Sequence, residues 1–140
     1  MREIKFRGYD RFDQRWVYGY GLHQSIFIDG SSNAYVTAGI REVFIVDKES
    51  TGQYTGCKDA NDKEIYEGDI VESQRGQNVY IGEVVWFGVG WYIHTELTNI
   101  KKDGSKYKYP DYIRLKPRYM TCINKVIGNI YENKNLLEEE

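Results

Sequence analysis

The segment VYIGEVVWFGVGWYIHTEL, residues 79–97, decides the fold class of this 140-residue chain. Gly88-Val89-Gly90 divides it into two arms, VYIGEVVWF and WYIHTEL. In the second arm, the side chains alternate as they do in a strand whose two faces differ. The two alternating sets are Trp91, Ile93, Thr95 and Leu97 on one side and Tyr92, His94 and Glu96 on the other. Two extended arms joined by a glycine-rich turn predict a β-hairpin.

The composition of the whole chain agrees with this hairpin. Fourteen Ile and ten Val outnumber five Leu and three Ala, and thirteen Tyr, five Phe and three Trp are added to them. Because β-branched and aromatic residues fit a pleated surface better than a helix, this ratio excludes a helical bundle. The formal charge of -2 gives the chain no overall field that would attract nucleic acid or an anionic membrane.

Further strands are expected on both sides of the hairpin. The alternation and turn signals predict strands at 3–8, 16–22, 40–46, 69–72, 112–116 and 126–131, with loops at 55–64 and 101–110. These elements predict an all-β, mainly antiparallel fold, either a small barrel or a strongly curved sheet. The part from 65 to 131 fits an SH3-like barrel, and α+β is the alternative class. Helix is expected at most as one short turn within 133–140.

Three sequence blocks carry a resemblance to a known family. They are Arg2-Glu3-Ile4-Lys5-Phe6-Arg7 with Tyr9-Asp10, then Gln53 to Val71, which includes Lys58-Asp59 and Ile65-Tyr66-Glu67-Gly68-Asp69, and last Val126 to Asn133. Together they resemble the YopX-like family of phage and prophage proteins. Asp62 stands where the family commonly has a turn glycine, Cys57 where it is usually aliphatic, and Lys134-Asn135 where it usually has Pro-Glu.

The resemblance implies a single YopX-like domain over 1–140 and an origin in a mobile genetic element. We expect a hairpin region at 1–55, a barrel-like region at 56–131 and a short tail at 132–140. The N-terminus MREIKFRGYDR is charged from its second residue, and no uncharged stretch is long enough for a membrane span. A cytoplasmic protein without a membrane anchor is therefore expected, with both cysteines reduced. The resemblance transfers no functional residues.

Motifs for metal binding and catalysis are weak in this sequence. The acidic loop Asp59, Asn61, Asp62, Glu64 lacks calcium-loop spacing, since Lys63 takes the fifth position and no glycine takes the sixth. His23, His94, Cys57 and Cys122 lack the short spacings of structural zinc sites. No catalytic motif is present, so we predict a protein that is not an enzyme and binds no cofactor. A Cys–His pair that meets only in space stays an alternative.

The most distinctive segment is the basic, tyrosine-rich stretch 101–119. Cations that neutralise phosphates, next to aromatic rings on which bases stack, suit single-stranded nucleic acid. The simpler and favoured interpretation is a solvated lysine-rich loop beside an edge strand, where lysines discourage strand pairing. The candidate nucleic-acid contacts are Lys101, Lys102, Lys106, Tyr107, Lys108, Tyr109, Arg114, Lys116 and Arg118.

These observations favour a non-enzymatic binding or assembly module of a phage or prophage. Tyrosines supply large contact areas with polar tips and are common at protein interfaces, so we expect a homo-oligomer or a host or phage protein partner. A nucleic-acid-binding regulator that uses 101–119 is the alternative. A third hypothesis is an unrecognised enzyme, in which Cys57 or His94 works with a nearby carboxylate.

Overall fold

The regular structure of the chain is almost entirely antiparallel β-strand. The computed structural model describes residues 3–116 and 122–137, without the side chains of 98–100. Within these residues the helical segments are two short 3-10 turns, Lys48–Ser50 and Lys134–Leu137. No helix in this part of the chain is long and apolar enough to cross a membrane. The prediction of an all-β, mainly antiparallel fold is confirmed.

The chain is divided into two compact units that do not simply follow each other in sequence. Unit 1 contains the residues up to Gly56 together with Glu64–Gly68, and unit 2 contains Cys57–Lys63 and the residues from Asp69 onward. The polar loop near 60 therefore belongs to unit 2, whereas the short segment after it returns to unit 1. The assignment of 1–140 to a single domain stays a prediction.

Unit 1 is built from two sheets. One is a curled half-barrel with the strand order β2-β1-β6-β7, and the other is a three-stranded sheet in the order β3-β4-β5. Val17, Ala34, Val36 and Val46 form a buried apolar cluster, against which Phe44 packs. The strands are β1 (Phe6–Asp10), β2 (Arg15–Gly19), β3 (Gly21–Ile26), β4 (Ser32–Gly39), β5 (Glu42–Val46), β6 (Gly52–Lys58) and β7 (Glu64–Tyr66).

Arg7 joins two of the sequence blocks inside unit 1. Its guanidinium carbon lies 4.8 Å from the ring centroid of Trp16 and 5.0 Å from that of Tyr66, and the residue is only 6% exposed. A guanidinium group between two aromatic faces is stabilised by cation–π attraction as well as by packing. Nearby, Lys5 Nζ donates to Glu64 Oε2 at 2.8 Å. These polar residues of the opening and middle blocks thus hold the fold of unit 1 together.

Unit 2 is built on one five-stranded antiparallel sheet with the order β11-β10-β9-β8-β12. Four strands follow each other as a meander, and the last strand returns to pair with the first. Ile70, Val71, Val84 and Ile93 are completely buried in it. The predicted hairpin in 79–97 is present as β9 and β10. The strands are β8 (Asp69–Arg75), β9 (Asn78–Phe87), β10 (Gly90–Ile100), β11 (Lys106–Arg114) and β12 (Ile123–Asn129).

A buried carboxylate attaches the loop near 60 to the last strand. Asp59 Oδ1 accepts the N–H groups of Asn61 and Lys63 at 2.8 and 2.9 Å, and its Oδ2 accepts the N–H of Val126 at 3.0 Å. Asp59 is 1% exposed. Both carboxylate oxygens are therefore engaged by the backbone, as expected for a turn rather than for a calcium loop.

The prediction of a loop at 101–110 is wrong from residue 106 onward. Residues 106–110 belong to β11, and they pair with β10 in a continuous register from Tyr92–Arg114 to Ile100–Lys106. The segment KYKYP has no apolar face, so its alternation of Lys and Tyr gives no sign of burial. Its strand conformation comes from hydrogen bonding to β10. Likewise, β6 extends to Lys58, into the predicted loop at 55–64.

Candidate functional site

The end of the β10–β11 hairpin extends beyond the rest of its sheet. Pairing of β9 with β10 ends at Glu83–His94, whereas pairing of β10 with β11 continues to Ile100–Lys106. We call residues 96–110 the β10–β11 arm. All residues from 101 to 110 are exposed. The tip of the arm and its β11 half thus face solvent, and β11 is an edge strand of the five-stranded sheet.

The tip of this arm is a well-defined turn. Lys101 N–H donates to Ser105 O at 2.8 Å, and Gly104, with φ of 89°, allows the chain to reverse. Asp103 Oδ1 accepts both the N–H and the hydroxyl of Ser105, at 2.9 and 2.6 Å. These hydrogen bonds hold the pKa of the Asp103 carboxyl below its usual range. The carboxylate is therefore an ionised part of the turn, next to the exposed Lys101 and Lys102.

The two faces of the arm carry different chemistry, because side chains alternate along β11. Tyr107 and Tyr109 share one face, with ring centroids 6.0 Å apart and planes tilted by 39°. Lys101 Nζ lies 5.6 Å from the Tyr107 centroid, within reach of a cation–π contact. The exposed Lys106 and Lys108 occupy the alternate positions on the same strand. Cations and aromatic rings therefore interleave along one edge strand.

The structure places the predicted contact residues in two groups. Six of them lie on the arm, whereas Arg114 and Lys116 lie at its base. There the Arg114 carbonyl accepts the Arg75 guanidinium, and the Lys116 carbonyl accepts Asn124 Nδ2 at 2.8 Å. Arg118 lies outside the described residues. The six on the arm are Lys101, Lys102, Lys106, Tyr107, Lys108 and Tyr109.

A stack of three rings at the base of the arm was missed by reasoning from the sequence. Tyr112 stacks between Phe87 and His94, with centroid distances of 4.0 and 4.7 Å and interplanar angles of 10° and 12°. Phe87 is half exposed. Tyr112 is directly opposite His94 in the β10–β11 register, so knowledge of that register would have revealed the pair. Since Tyr112 is out of phase with Tyr107 and Tyr109 along β11, the stack lies on the opposite face, which also carries Lys106 and Lys108.

A cavity of about 250 Å³ lies beside this stack. Thr95 contributes to its wall, but its hydroxyl donates to Ile81 O at 2.7 Å. The imidazole of His94 stacks on Tyr112, and among the described residues no cysteine or serine lines the cavity. This arrangement suits binding of a small apolar group with one polar end better than nucleophilic chemistry. The lining residues are Ile81, His94, Thr95, Glu96, Leu136 and Leu137.

The residues considered for metal binding occupy separate environments. His23 belongs to unit 1, where Thr37 Oγ1 lies 2.9 Å from its Nε2. Cys122 is a buried free thiol, and its Sγ lies 3.9 Å from Lys116 O. Cys57 is a reduced cysteine of intermediate exposure. In residues 3–116 and 122–137, no three His, Cys, Asp or Glu side chains are grouped as metal ligands.

Comparisons with known proteins identify the family of the chain. The family model described as YopX protein matches residues 5–138. Among solved structures, the crystal structure of protein EF1440 from Enterococcus faecalis is similar, with 19% sequence identity and a TM-score of 0.46, covering 99% of this chain and 100% of that one. No protein in the curated set matches. Because the family match includes nearly every residue, the chain belongs to the YopX protein family.

Proposed function

We propose that this YopX-family protein is a non-enzymatic binding module whose contact surface is the β10–β11 arm. We further propose that it is an accessory protein of a phage or prophage and acts in the cytoplasm of the bacterial host. The observation that carries the proposal is the exposure of every residue from 101 to 110 on a hydrogen-bonded ribbon. A ribbon of this kind adds little to the core, and it presents a preformed surface to a partner.

The composition of the arm supports a role in contact formation. Tyr107 and Tyr109 are 40% and 37% exposed, and tyrosine combines a large apolar ring with a polar tip. Such residues are enriched at protein interfaces and supply most of the binding energy there. The half-exposed Phe87, which stacks on Tyr112, adds an aromatic surface on the opposite face at the base of the arm. The arm can therefore bind a partner without any change in the fold of the sheet.

Affinity capture from host cells that carry the parent phage tests this function. The bait is the full chain, compared with Tyr107→Ser/Tyr109→Ser and with the control Tyr20→Ser. Tyr20 is exposed in unit 1, so the control removes an accessible tyrosine outside the arm. We expect the full chain and the control to capture the same partners, and the arm variant to lose them. Equal recovery of all partners by the arm variant would contradict the assignment of the arm.

Self-assembly is a second candidate, favoured by the three-stranded sheet of unit 1. In the order β3-β4-β5, the strand β3 is at an edge, and Ile26 at its end is 74% exposed. The exposed Phe27 and Ile28 follow directly. An exposed edge with apolar residues suits pairing with the same edge of a second copy. Light scattering at micromolar concentration should then show a dimer, and Ile26→Lys/Ile28→Lys should convert it to a monomer. A monomeric wild type would refute self-assembly through this edge.

A further inference from the structure

Charge is distributed unevenly along the chain. Residues 101–116 hold six Lys or Arg against Asp103 and Asp111, a local charge of +4, whereas the whole chain has -2, which leaves -6 for all other positions. The carboxylate of Asp103 is engaged by Ser105 in the tip turn. A polyanion is therefore repelled by most of the protein and attracted to the arm and its base. This distribution favours binding of an anionic ligand at the arm and its base over binding elsewhere on the protein surface.

The tyrosines of the arm indicate which kind of polyanion fits. Tyr107 and Tyr109 lie side by side on one face with their centroids 6.0 Å apart, and both rings are more than one-third exposed. Lys101 is positioned against the Tyr107 ring. Exposed rings on a basic strand are the platform on which unpaired bases stack, and the contact tolerates any base because every base has a π-face.

Lys106 and Lys108 complete the arrangement. They alternate with the tyrosines along β11, so successive lysines are about 6.8 Å apart along the strand. Because β11 is an edge strand, side chains from both of its faces border the same open edge. A single strand that follows this edge can place bases on the tyrosines and phosphates near the lysines.

The exposed tyrosines distinguish single-stranded from double-stranded nucleic acid. Of the side chains that make bidentate contacts to purines in the major groove, the segment KKDGSKYKYP, residues 101–110, offers only lysine. Lysines alone would bind duplex and single strand alike through phosphates. Stacking on Tyr107 and Tyr109 is available only to unpaired bases. The aromatic contribution therefore favours single-stranded over double-stranded nucleic acid.

From this geometry we infer that the β10–β11 arm binds single-stranded nucleic acid without sequence preference, with Tyr107 and Tyr109 stacking on bases and the arm lysines neutralising phosphates. The inference rests on the proposed function of the arm as the contact surface. It names the chemical class of the partner. A protein partner on the same tyrosines is the competing outcome of the test.

Fluorescence anisotropy with labelled oligonucleotides of about 20 nucleotides, longer than a typical single-strand site, tests the inference. The probes are a mixed-sequence DNA strand, the RNA of the same sequence and the corresponding DNA duplex, at about 50 mM salt and above. We expect saturable binding of both single strands and weaker binding of the duplex. Absence of binding to every single strand at low salt would overturn the inference.

Two arm variants separate stacking from charge. Tyr107→Ala/Tyr109→Ala should weaken single-strand binding by about 25-fold or more, whereas Tyr107→Phe/Tyr109→Phe should keep it within about threefold. Lys106→Glu/Lys108→Glu should weaken binding by at least about tenfold and reduce the salt slope by about 1.4. If the Tyr→Ala variant binds as tightly as the wild type, the inference that bases stack on these tyrosines is wrong.

A matched charge control excludes a general effect of net charge. Lys63→Glu/Lys125→Glu changes the net charge by the same amount at exposed positions of unit 2 outside the arm, and should change affinity by no more than about threefold at moderate salt. If both Lys→Glu variants lose binding equally, the arm is not the site. If no nucleic acid binds but the tyrosine variant still loses protein partners in the capture experiment, the inferred ligand fails while the proposed function stands.

Discussion

We expect Asp59→Ala to destabilise unit 2 by about 3 to 4 kcal/mol. The carboxylate is buried and accepts three backbone N–H groups, two from its own turn and one from Val126 on β12. Alanine removes all three acceptors at once. It therefore removes the side-chain link between the turn and the last strand without adding any bulk, while the backbone hydrogen bond from Ala60 N–H to Asn124 O remains.

The magnitude follows from the different surroundings of the three donors. A hydrogen bond to a charged group contributes about 1.5 to 3 kcal/mol. Asn61 and Lys63 are exposed, so water replaces the carboxylate there and most of their share is recovered. The N–H of Val126 is partly buried and loses nearly its full share. Asp59→Asn keeps one acceptor oxygen but places an N–H₂ group against an N–H donor, so we expect about half the loss.

Urea unfolding followed by tryptophan fluorescence measures these changes, since Trp86 and Trp91 belong to unit 2. The control Asp29→Ala removes a carboxylate that accepts Ser31 in an exposed turn, and its unfolding midpoint should match the wild type. We expect the order wild type, Asp59→Asn, Asp59→Ala in decreasing stability. An Asp59→Ala protein within about 0.5 kcal/mol of the wild type would refute the structural role of this carboxylate.

Three further outcomes are expected. Asp62 has a φ of 62°, which strains a residue with a Cβ, so Asp62→Gly should raise the free energy of unfolding by about 0.5 kcal/mol in the same urea titration. A lower free energy of unfolding would contradict backbone strain at this position. A Cβ at position 82 would collide with the backbone carbonyl of His94, so Gly82→Ala should lower the free energy of unfolding by about 2 to 3 kcal/mol; an unchanged midpoint would mean that the strands can separate there. Burial and the hydrogen bond to Glu64 raise the pKa of Tyr66, so this tyrosine stays protonated in the fold where the unfolded chain ionises it near pH 10. The native state then holds the extra proton, so stability falls as pH rises above about 10. Tyr66→Phe should flatten this fall in thermal melts between pH 9 and about 11. An equal loss of stability in both proteins would mean that other groups cause the fall.

Much of the fold could be predicted because its strands carry a hydrophobic signal. The hairpin of β9 and β10 alternates clearly around a glycine turn, and its buried members Val84 and Ile93 lie in the core. The segment near 60 was also predicted to be a loop without the spacing of a calcium site. Its partner on β12 could not be predicted, because the contact from Asp59 to Val126 bridges 67 positions of sequence.

The first half of β11 was not predicted as a strand, because it carries no such hydrophobic signal. Its residues face solvent on both sides, so hydrophobic alternation is absent and only pairing with β10 makes the segment a strand. The candidate site changed accordingly. The sequence suggested one stretch from 101 to 119, whereas the structure separates an exposed arm from a base at which Arg114 and Lys116 join other strands through their carbonyl groups. The stack of Phe87, Tyr112 and His94 depends on register, which composition does not contain.

Amide chemical-shift mapping on addition of a single-stranded oligonucleotide tests the central claim most directly, because it locates the contact without any substitution. We predict that the largest shifts fall within residues 101–109, that smaller ones appear around Tyr112 at the base of the arm, and that the core of unit 1 around Val36 stays unchanged. Shifts concentrated in unit 1, or in the cavity beside Leu136 and Leu137 with none on the arm, would contradict the account.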